Sequence, residues 1–213
     1  MYQLWIGDKN FSSWSLRVWL LMRVKQIPFQ EQMCTFSPLD TRTQRYLSFS
    51  PTGKVPCLHD GNTVIWESLA IIETLAEHYP HVFPASAQAR CWSRCAIAEM
   101  HAGFPHLRQD CPMNCTLDQP FTELSSALKN DLERMDALWQ QGLERFGGPY
   151  LAGPDFTAVD AYFAPVAFRA KSYHLPFSQA SQQWMERMIA LPEMQQWAAD
   201  AKQEILSQKP CMD

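Results

Sequence analysis

Three short stretches of this chain carry side chains able to hold a small charged ligand. The first is Phe11-Ser12-Ser13-Trp14-Ser15-Leu16-Arg17, which follows an apolar run at residues 2–6 and opens an amphipathic one at residues 14–24. Serines at a strand-to-helix junction accept hydrogen bonds from the first free helix N–H groups, so capping accounts for them. The same place collects positive potential and suits a bound anion. Taken alone, the stretch leaves both readings open.

The second stretch, Thr52-Gly53-Lys54-Val55-Pro56, puts a proline at the start of a strand, where a missing ladder donor is tolerated. A cis Val55-Pro56 bond would turn the Val55 backbone outward to pair with an extended, peptide-like ligand; spacing alone does not require one. The third, Glu67-Ser68, opens a helix. Ser68 can bind a carboxylate through its hydroxyl and free N–H, and Glu67 can hold an ammonium group beside it, although plain capping also fits. Ser68 for one carboxylate, Lys54 for another and Glu67 for an amine together match a small zwitterionic peptide.

The elements that must position these residues are legible in order. Residues 2–6 read as a strand, 14–25 as a helix, and 29–33 as a second strand after the break at Ile27-Pro28. Residues 37–50 are polar and weakly periodic, in keeping with a short irregular helix. Residues 55–59 and 63–66 flank the turn signal Asp60-Gly61-Asn62 and form a hairpin. Residues 67–79 then repeat apolar side chains at helical spacing. This order predicts one sheet with helices packed on it for residues 1–80. A linker at 81–87 rich in proline and small residues follows, and residues 88–213 read as an all-helical bundle. Its helices span residues 88–107 and 124–143, start again near Thr157 with the capping box Thr157-Ala158-Val159-Asp160, and continue at 184–189 and 194–206.

Composition narrows the function. The chain has 213 residues, 46% of them hydrophobic and 19% charged, enough for a sizeable core. A net charge of −4 argues against a general nucleic-acid binder. The first ten residues lack a signal-peptide pattern, and no apolar run approaches membrane-spanning length, so a soluble, cytoplasmic protein is expected. Seven scattered cysteines do not suit a secreted disulfide framework. Cys91 with Cys95 and Cys111 with Cys115 lack the tight spacing of common zinc modules, so free thiols and no metal are expected.

Ser-Ser-Trp-Ser-Leu-Arg, Thr-Gly-Lys-Val-Pro and Glu-Ser-Leu-Ala-Ile-Ile-Glu-Thr-Leu, in this order and spacing, resemble the glutathione S-transferase family. The segment Gly153-Pro154-Asp155-Phe156-Thr157-Ala158-Val159-Asp160-Ala161 is similar to that family's buried N-capping motif. The likeness covers the whole chain, and the serine-rich opening resembles serine-type, zeta-like bacterial members. It implies an α/β thioredoxin-like N-terminal domain, an all-α helical C-terminal domain and a homodimer. It further implies glutathione as cosubstrate, with its glutamyl carboxylate on Ser68, its amine near Glu67, its cysteinyl backbone on Val55 before a cis Pro56, and its glycyl carboxylate near Lys54. The family's spacing to the arginine that matches Arg17 selects Ser12 for the thiol, with Ser13 as near rival.

Thiol chemistry sets what that serine must do. A free thiol is only about 3% ionised at pH 7, and a serine is too weak a base to change that. Its hydroxyl can donate a hydrogen bond to the thiolate while the helix N-terminus adds favourable potential. Lowering the thiol pKa by about two units requires about 2.7 kcal/mol, within reach of one charge-assisted bond and the dipole. The thiolate then attacks a small electrophile. With Trp14 where a disulfide-exchanging relative would carry cysteine, redox catalysis by the protein is disfavoured, and Cys34 and Cys57 are expected to be buried. The electrophile pocket is expected around His101, Phe104, Arg108 and Met113. His101 and Arg108 can share a helix face toward the cleft, where Arg108 would steady an anionic substrate. Equally, His101 can be a satisfied interior histidine, Arg108 a surface charge, and Phe104 and Met113 simple core. Detoxifying conjugation is the expected activity. The alternatives are isomerisation of maleylacetoacetate type and a catalytically weak interaction or stress protein.

Overall fold

The computed structural model of the chain describes residues 1–36 and 44–208. Strand β1 (Tyr2–Ile6) shows how alternation builds the sheet. Leu4 and Ile6 are fully buried in the main core, while Trp5 packs on the opposite face. Strands β2 (Phe29–Met33), β3 (Cys57–Asp60) and β4 (Thr63–Trp66) complete a sheet of order β2-β1-β3-β4. β2 runs parallel to β1 with Phe29 opposite Tyr2, and helix α1 (Ser13–Val24) supplies the crossover that a parallel pair needs. β3 is antiparallel to both its neighbours, and Asp60 pairs with Thr63 across the tight turn. Gly61, at φ +58°, supplies the left-handed backbone that this turn requires.

The second face of the sheet is closed by Cys34, Tyr46, Phe49 and Cys57, with the Phe49 ring stacked 4.1 Å from Trp5. Of the segment expected as a short irregular helix, residues 44–47 are helical, and residues 37–43 lie outside the described residues. On the first face, α1 packs beside α2 (Ser68–His78), whose Ile71, Ile72 and Leu75 are fully buried.

After a short turn of 3₁₀ helix (Pro80–Val82) the chain is helical: α3 (Ala87–Ala102), α4 (Pro105–Asp110), α5 (Ser126–Phe146), α6 (Ala158–Tyr173), α7 (Gln179–Ala190) and α8 (Pro192–Gln208). Helix α6 is buried on nearly every side because it packs against α1, α3 and α7. The capping box at its head is present, with Asp160 accepting from the Thr157 N–H at 2.9 Å. One helix expectation is corrected. The apolar period of residues 88–107 runs through a break: α3 ends at Ala102, Phe104 turns left-handed at φ 59°, and Pro105 starts α4. His101 and Arg108 therefore stand on different helices.

Lys9 ties the sheet domain to the last helix. Its ammonium, 5% exposed, lies 2.7 Å from both Glu31 and Asp200, its N–H donates to Glu204 at 2.8 Å, and its carbonyl accepts from the Trp197 indole at 2.7 Å. Among the described residues no helix is long and apolar enough to cross a membrane.

Candidate active site

A cleft of about 190 Å³ opens where the sheet domain meets α3. Thr52, Lys54, Val55 and Pro56 form one wall, Glu67 and Ser68 another, and Trp14 and His101 close it. The three stretches that carry chemistry thus meet at one place, although α1 contributes Trp14 to the wall rather than Ser12 or Ser13. The Val55-Pro56 bond is cis, and the Val55 backbone N–H and C=O have no partner among the described residues. Glu67, exposed, sits at φ 66°, a left-handed conformation costly for a residue with a side chain and typical of positions under functional constraint. Ser68 follows, 1% exposed, at the first position of α2, where its N–H belongs to the open end of the helix.

The start of α1 is organised differently from a simple cap. Neither serine side chain caps the helix. Ser12 donates to Ser15 Oγ at 2.7 Å, and Ser15 also accepts from the Gly7 N–H at 3.2 Å. Ser13 accepts from the Arg169 guanidinium at 3.3 Å. The backbone N–H groups of Trp14 and Ser15 have no acceptor among the described residues, so donors remain available for an anion.

Below this turn lie three guanidinium groups. Arg17 is fully buried, its three nitrogens make no well-formed hydrogen bond among the described residues, and its Cζ lies 4.0 Å from the Trp14 ring centre and 4.2 Å from that of Tyr162. Burial, reinforced by the like charges of Arg108 and Arg169, pushes Arg17 down to about 9. Arg108 lies over Trp14 at 4.8 Å and donates to the Gly103 and Met100 carbonyls. Arg169, 4% exposed, donates to the Leu107 and Cys111 carbonyls as well as to Ser13, and burial pushes it down to about 10.

Of the four electrophile residues expected from sequence, only His101 lines the cleft. Phe104 and Met113, 4% and 2% exposed, belong to the core, and Arg108 is engaged by backbone carbonyls where α3 gives way to α4. A residue that sequence reasoning missed, Tyr162, joins the two domains: its hydroxyl lies 2.7 Å from His101 Nδ1 and 3.2 Å from Ser68 Oγ. Its position in an unbroken apolar helix carries no local signal of that role. Burial, then the charge of Arg17, lowers the His101 pKa below its usual value, with Glu67 opposing and Arg108 adding. Cys57 is buried, donates to the Phe49 carbonyl at 3.3 Å, and is pushed up to about 11 by burial. Among the described residues no cluster of three His, Cys, Asp or Glu side chains is placed to hold a metal.

The family model described as "Glutathione S-transferase, N-terminal domain" matches residues 11–78, and that described as "Glutathione S-transferase, C-terminal domain" matches residues 118–200. The chain is 28% identical over 173 residues to the glutathione S-transferase-like protein OpS6 of Beauveria bassiana, covering 76% of each. It is 28% identical over 165 residues to a stringent starvation protein A homolog of Haemophilus influenzae, covering 73% of this chain and 72% of that one. It is 26% identical over 204 residues to a probable maleylacetoacetate isomerase of Vibrio cholerae, covering 89% of this chain and 92% of that one. In fold it resembles a glutathione transferase homolog from Burkholderia solved with bound glutathione, with a TM-score of 0.69 at 22% identity, covering 95% of this chain and 98% of that one. Both halves of one family are matched in order along the chain, and the chain belongs to the glutathione S-transferase family of enzymes.

Proposed function

We propose that this protein binds glutathione in the cleft, holds its thiolate at the start of α1 and transfers it to a small electrophile. The observation that carries the proposal is the meeting on one cleft of Lys54, the Glu67-Ser68 pair and a Val55 backbone that has no partner among the described residues. An extended peptide pairing with Val55 would direct its glutamyl carboxylate and amine to Ser68 and Glu67, and its glycyl carboxylate toward Lys54. The thiol then lies near the open Trp14 and Ser15 amides and Ser12.

Ser12 can turn its proton to the thiolate without losing a bond. Because Ser15 accepts from the Gly7 N–H, its own hydroxyl proton is free to donate to Ser12 in return. Ser12→Ala is therefore expected to lower kcat about tenfold with KM for glutathione within about twofold. Ser68→Ala is expected to raise that KM about tenfold through loss of a charge-assisted bond. Steady-state conjugation kinetics check both; a larger loss at Ser13→Ala than at Ser12→Ala would move the thiol to Ser13.

A small electrophile is in keeping with a cleft of about 190 Å³ on which His101 stands while Phe104 and Met113 are buried in the core. The Vibrio relative, named a probable maleylacetoacetate isomerase, favours the isomerisation reading, and the Haemophilus relative, named a stringent starvation protein A homolog, favours the stress-related one. Retention on immobilised glutathione, followed by conjugation and isomerisation assays, separates them: retention without turnover on any electrophile supports the stress-related reading. Family likeness supports a cytoplasmic homodimer acting in detoxification.

A further inference from the structure

His101 reaches the glutathione cleft from the helical domain, and two hydroxyls link it to the far end of the same cleft. Its Nδ1 lies 2.7 Å from Tyr162 Oη, which lies 3.2 Å from Ser68 Oγ. Its Nε2 makes no hydrogen bond to any described residue, and its ring meets Trp14 edge-on at 5.3 Å, at the start of α1. The charged and titratable groups around it come from four places: Arg17 on α1, Glu67 at the head of α2, Arg108 on α4 and Tyr162 on α6.

Each hydroxyl in this chain owns one proton, so the direction of one bond sets the next. An ionised carboxylate only accepts hydrogen bonds. When one binds at Ser68, the Ser68 hydroxyl must donate to it and therefore accepts from Tyr162. Tyr162, having given its proton to Ser68, can only accept from His101, which places the imidazole proton on Nδ1. Nε2 is then a bare lone pair beside the start of α1. Without the carboxylate the chain can run the other way, with Tyr162 donating to Nδ1 and the proton on Nε2.

We propose that His101 is the base that takes the thiol proton of glutathione, and that the ligand's own glutamyl carboxylate sets it in the base tautomer through Ser68 and Tyr162. The proposal rests on the reading of the cleft as a glutathione site. The S–H bond breaks, the electron pair stays on sulfur, and the proton bonds to Nε2, leaving a thiolate beside an imidazolium. Burial, then the charge of Arg17, disfavours the protonated form of His101 in the free protein, with Glu67 opposing and Arg108 adding. The ion pair formed by the transfer, with the Glu67 carboxylate nearby, then stabilises the product of the step. Tyr162 is a positioning residue.

Three measurements test this. S-methylglutathione, which has no thiol, is titrated first by calorimetry. Glutathione is then added at pH 7 while the ultraviolet absorbance of the thiolate and the proton released to an indicator dye are followed together. The wild-type protein is expected to form thiolate while releasing much less than one proton per thiolate. In His101→Asn, any thiolate formed is matched by an equal release, and kcat/KM at neutral pH falls about tenfold with its pH profile moved to higher pH. Tyr162→Phe keeps the ring against Arg17 and is expected to leave KM within about twofold while kcat falls about tenfold. Cysteinylglycine, which has the thiol but no glutamyl carboxylate, is expected to release a full proton for each thiolate it forms. Failure of S-methylglutathione to bind overturns the reading of the cleft and this proposal with it. Binding with a full proton released by wild type, or an unmoved pH profile in His101→Asn, overturns this proposal alone.

Discussion

Asp160→Ala is expected to lower the unfolding free energy by about 4 kcal/mol, the largest single effect on stability anticipated in this protein. Asp160 is fully buried at the head of α6 and accepts from the Leu151 N–H at 2.9 Å, the Thr157 N–H at 2.9 Å and the Trp184 indole at 3.0 Å. All three donors are themselves buried. Alanine leaves each without an acceptor and water cannot replace it, at about 1–3 kcal/mol per orphaned group. Helix α6 also packs against α1, α3 and α7, so a frayed first turn would loosen both domains. Urea denaturation of wild type and variant measures the difference through the shift in midpoint. Asp160→Asn, which keeps one carbonyl oxygen, should recover part of the loss. A change below about 1 kcal/mol in the alanine variant would show that this network is not what holds α6 in place.

Arg17→Met is expected to act in the opposite direction and stabilise the protein at pH 7 by about 2 kcal/mol. A guanidinium removed from water with no carboxylate partner among the described residues is unfavourable, and the neighbouring Arg108 and Arg169 add repulsion that the Tyr162 hydroxyl offsets in part. The Trp14 and Tyr162 rings return only about 2 kcal/mol of cation–π attraction. The pH dependence gives an independent check. Burial lowers the folded-state pKa of Arg17 from the usual arginine range to about 9, so above pH 9 the folded protein gives up this proton before the unfolded chain does. The penalty is fully present below about pH 9 and is relieved as pH rises above it, so the advantage of the Met variant should shrink between pH 7 and pH 10. Denaturation at the two pH values measures it; a less stable Met variant at pH 7 would mean that the rings more than offset the desolvation. Arg17 lies under the turn proposed to receive the thiolate, so on that proposal the stabilised variant should also show a raised glutathione thiol pKa.

Much of the sheet domain was legible because its signals are local. Residues 2–6, 29–33 and 63–66 alternate apolar and polar side chains or flank a glycine turn, and each lies in the sheet where expected. The fold class follows from the order of these elements. The helical domain was legible as helices but not at its joints. Gly103 and Pro105 bracket the break between α3 and α4, yet the apolar spacing continues through it, because both helices bury residues in the same core. Periodicity records which side chains are buried, not whether the backbone between them is continuous.

The site divides along the same line. Lys54, Val55, Pro56, Glu67 and Ser68 occur in short motifs whose residue types announce a zwitterionic peptide, and the fold gathers all five around the cleft. Phe104 and Met113 could be wall or core by composition, Arg108 a cleft or a surface charge, and only packing decides between them. Tyr162 and His101 stand 61 residues apart on different helices, and nothing local to either predicts their hydrogen bond. The opening serines illustrate the division most sharply. Their types and place before a helix are written in the chain and suit either a cap or a bound anion. Which hydroxyl faces its neighbour, which meets Arg169, and which indole enters the cleft depend on how α1 is pressed between the sheet and α6. Local sequence determines what a turn can bind, because helix ends and side-chain chemistry are local. What the turn is left free to bind is decided by the partners that distant segments bring to it.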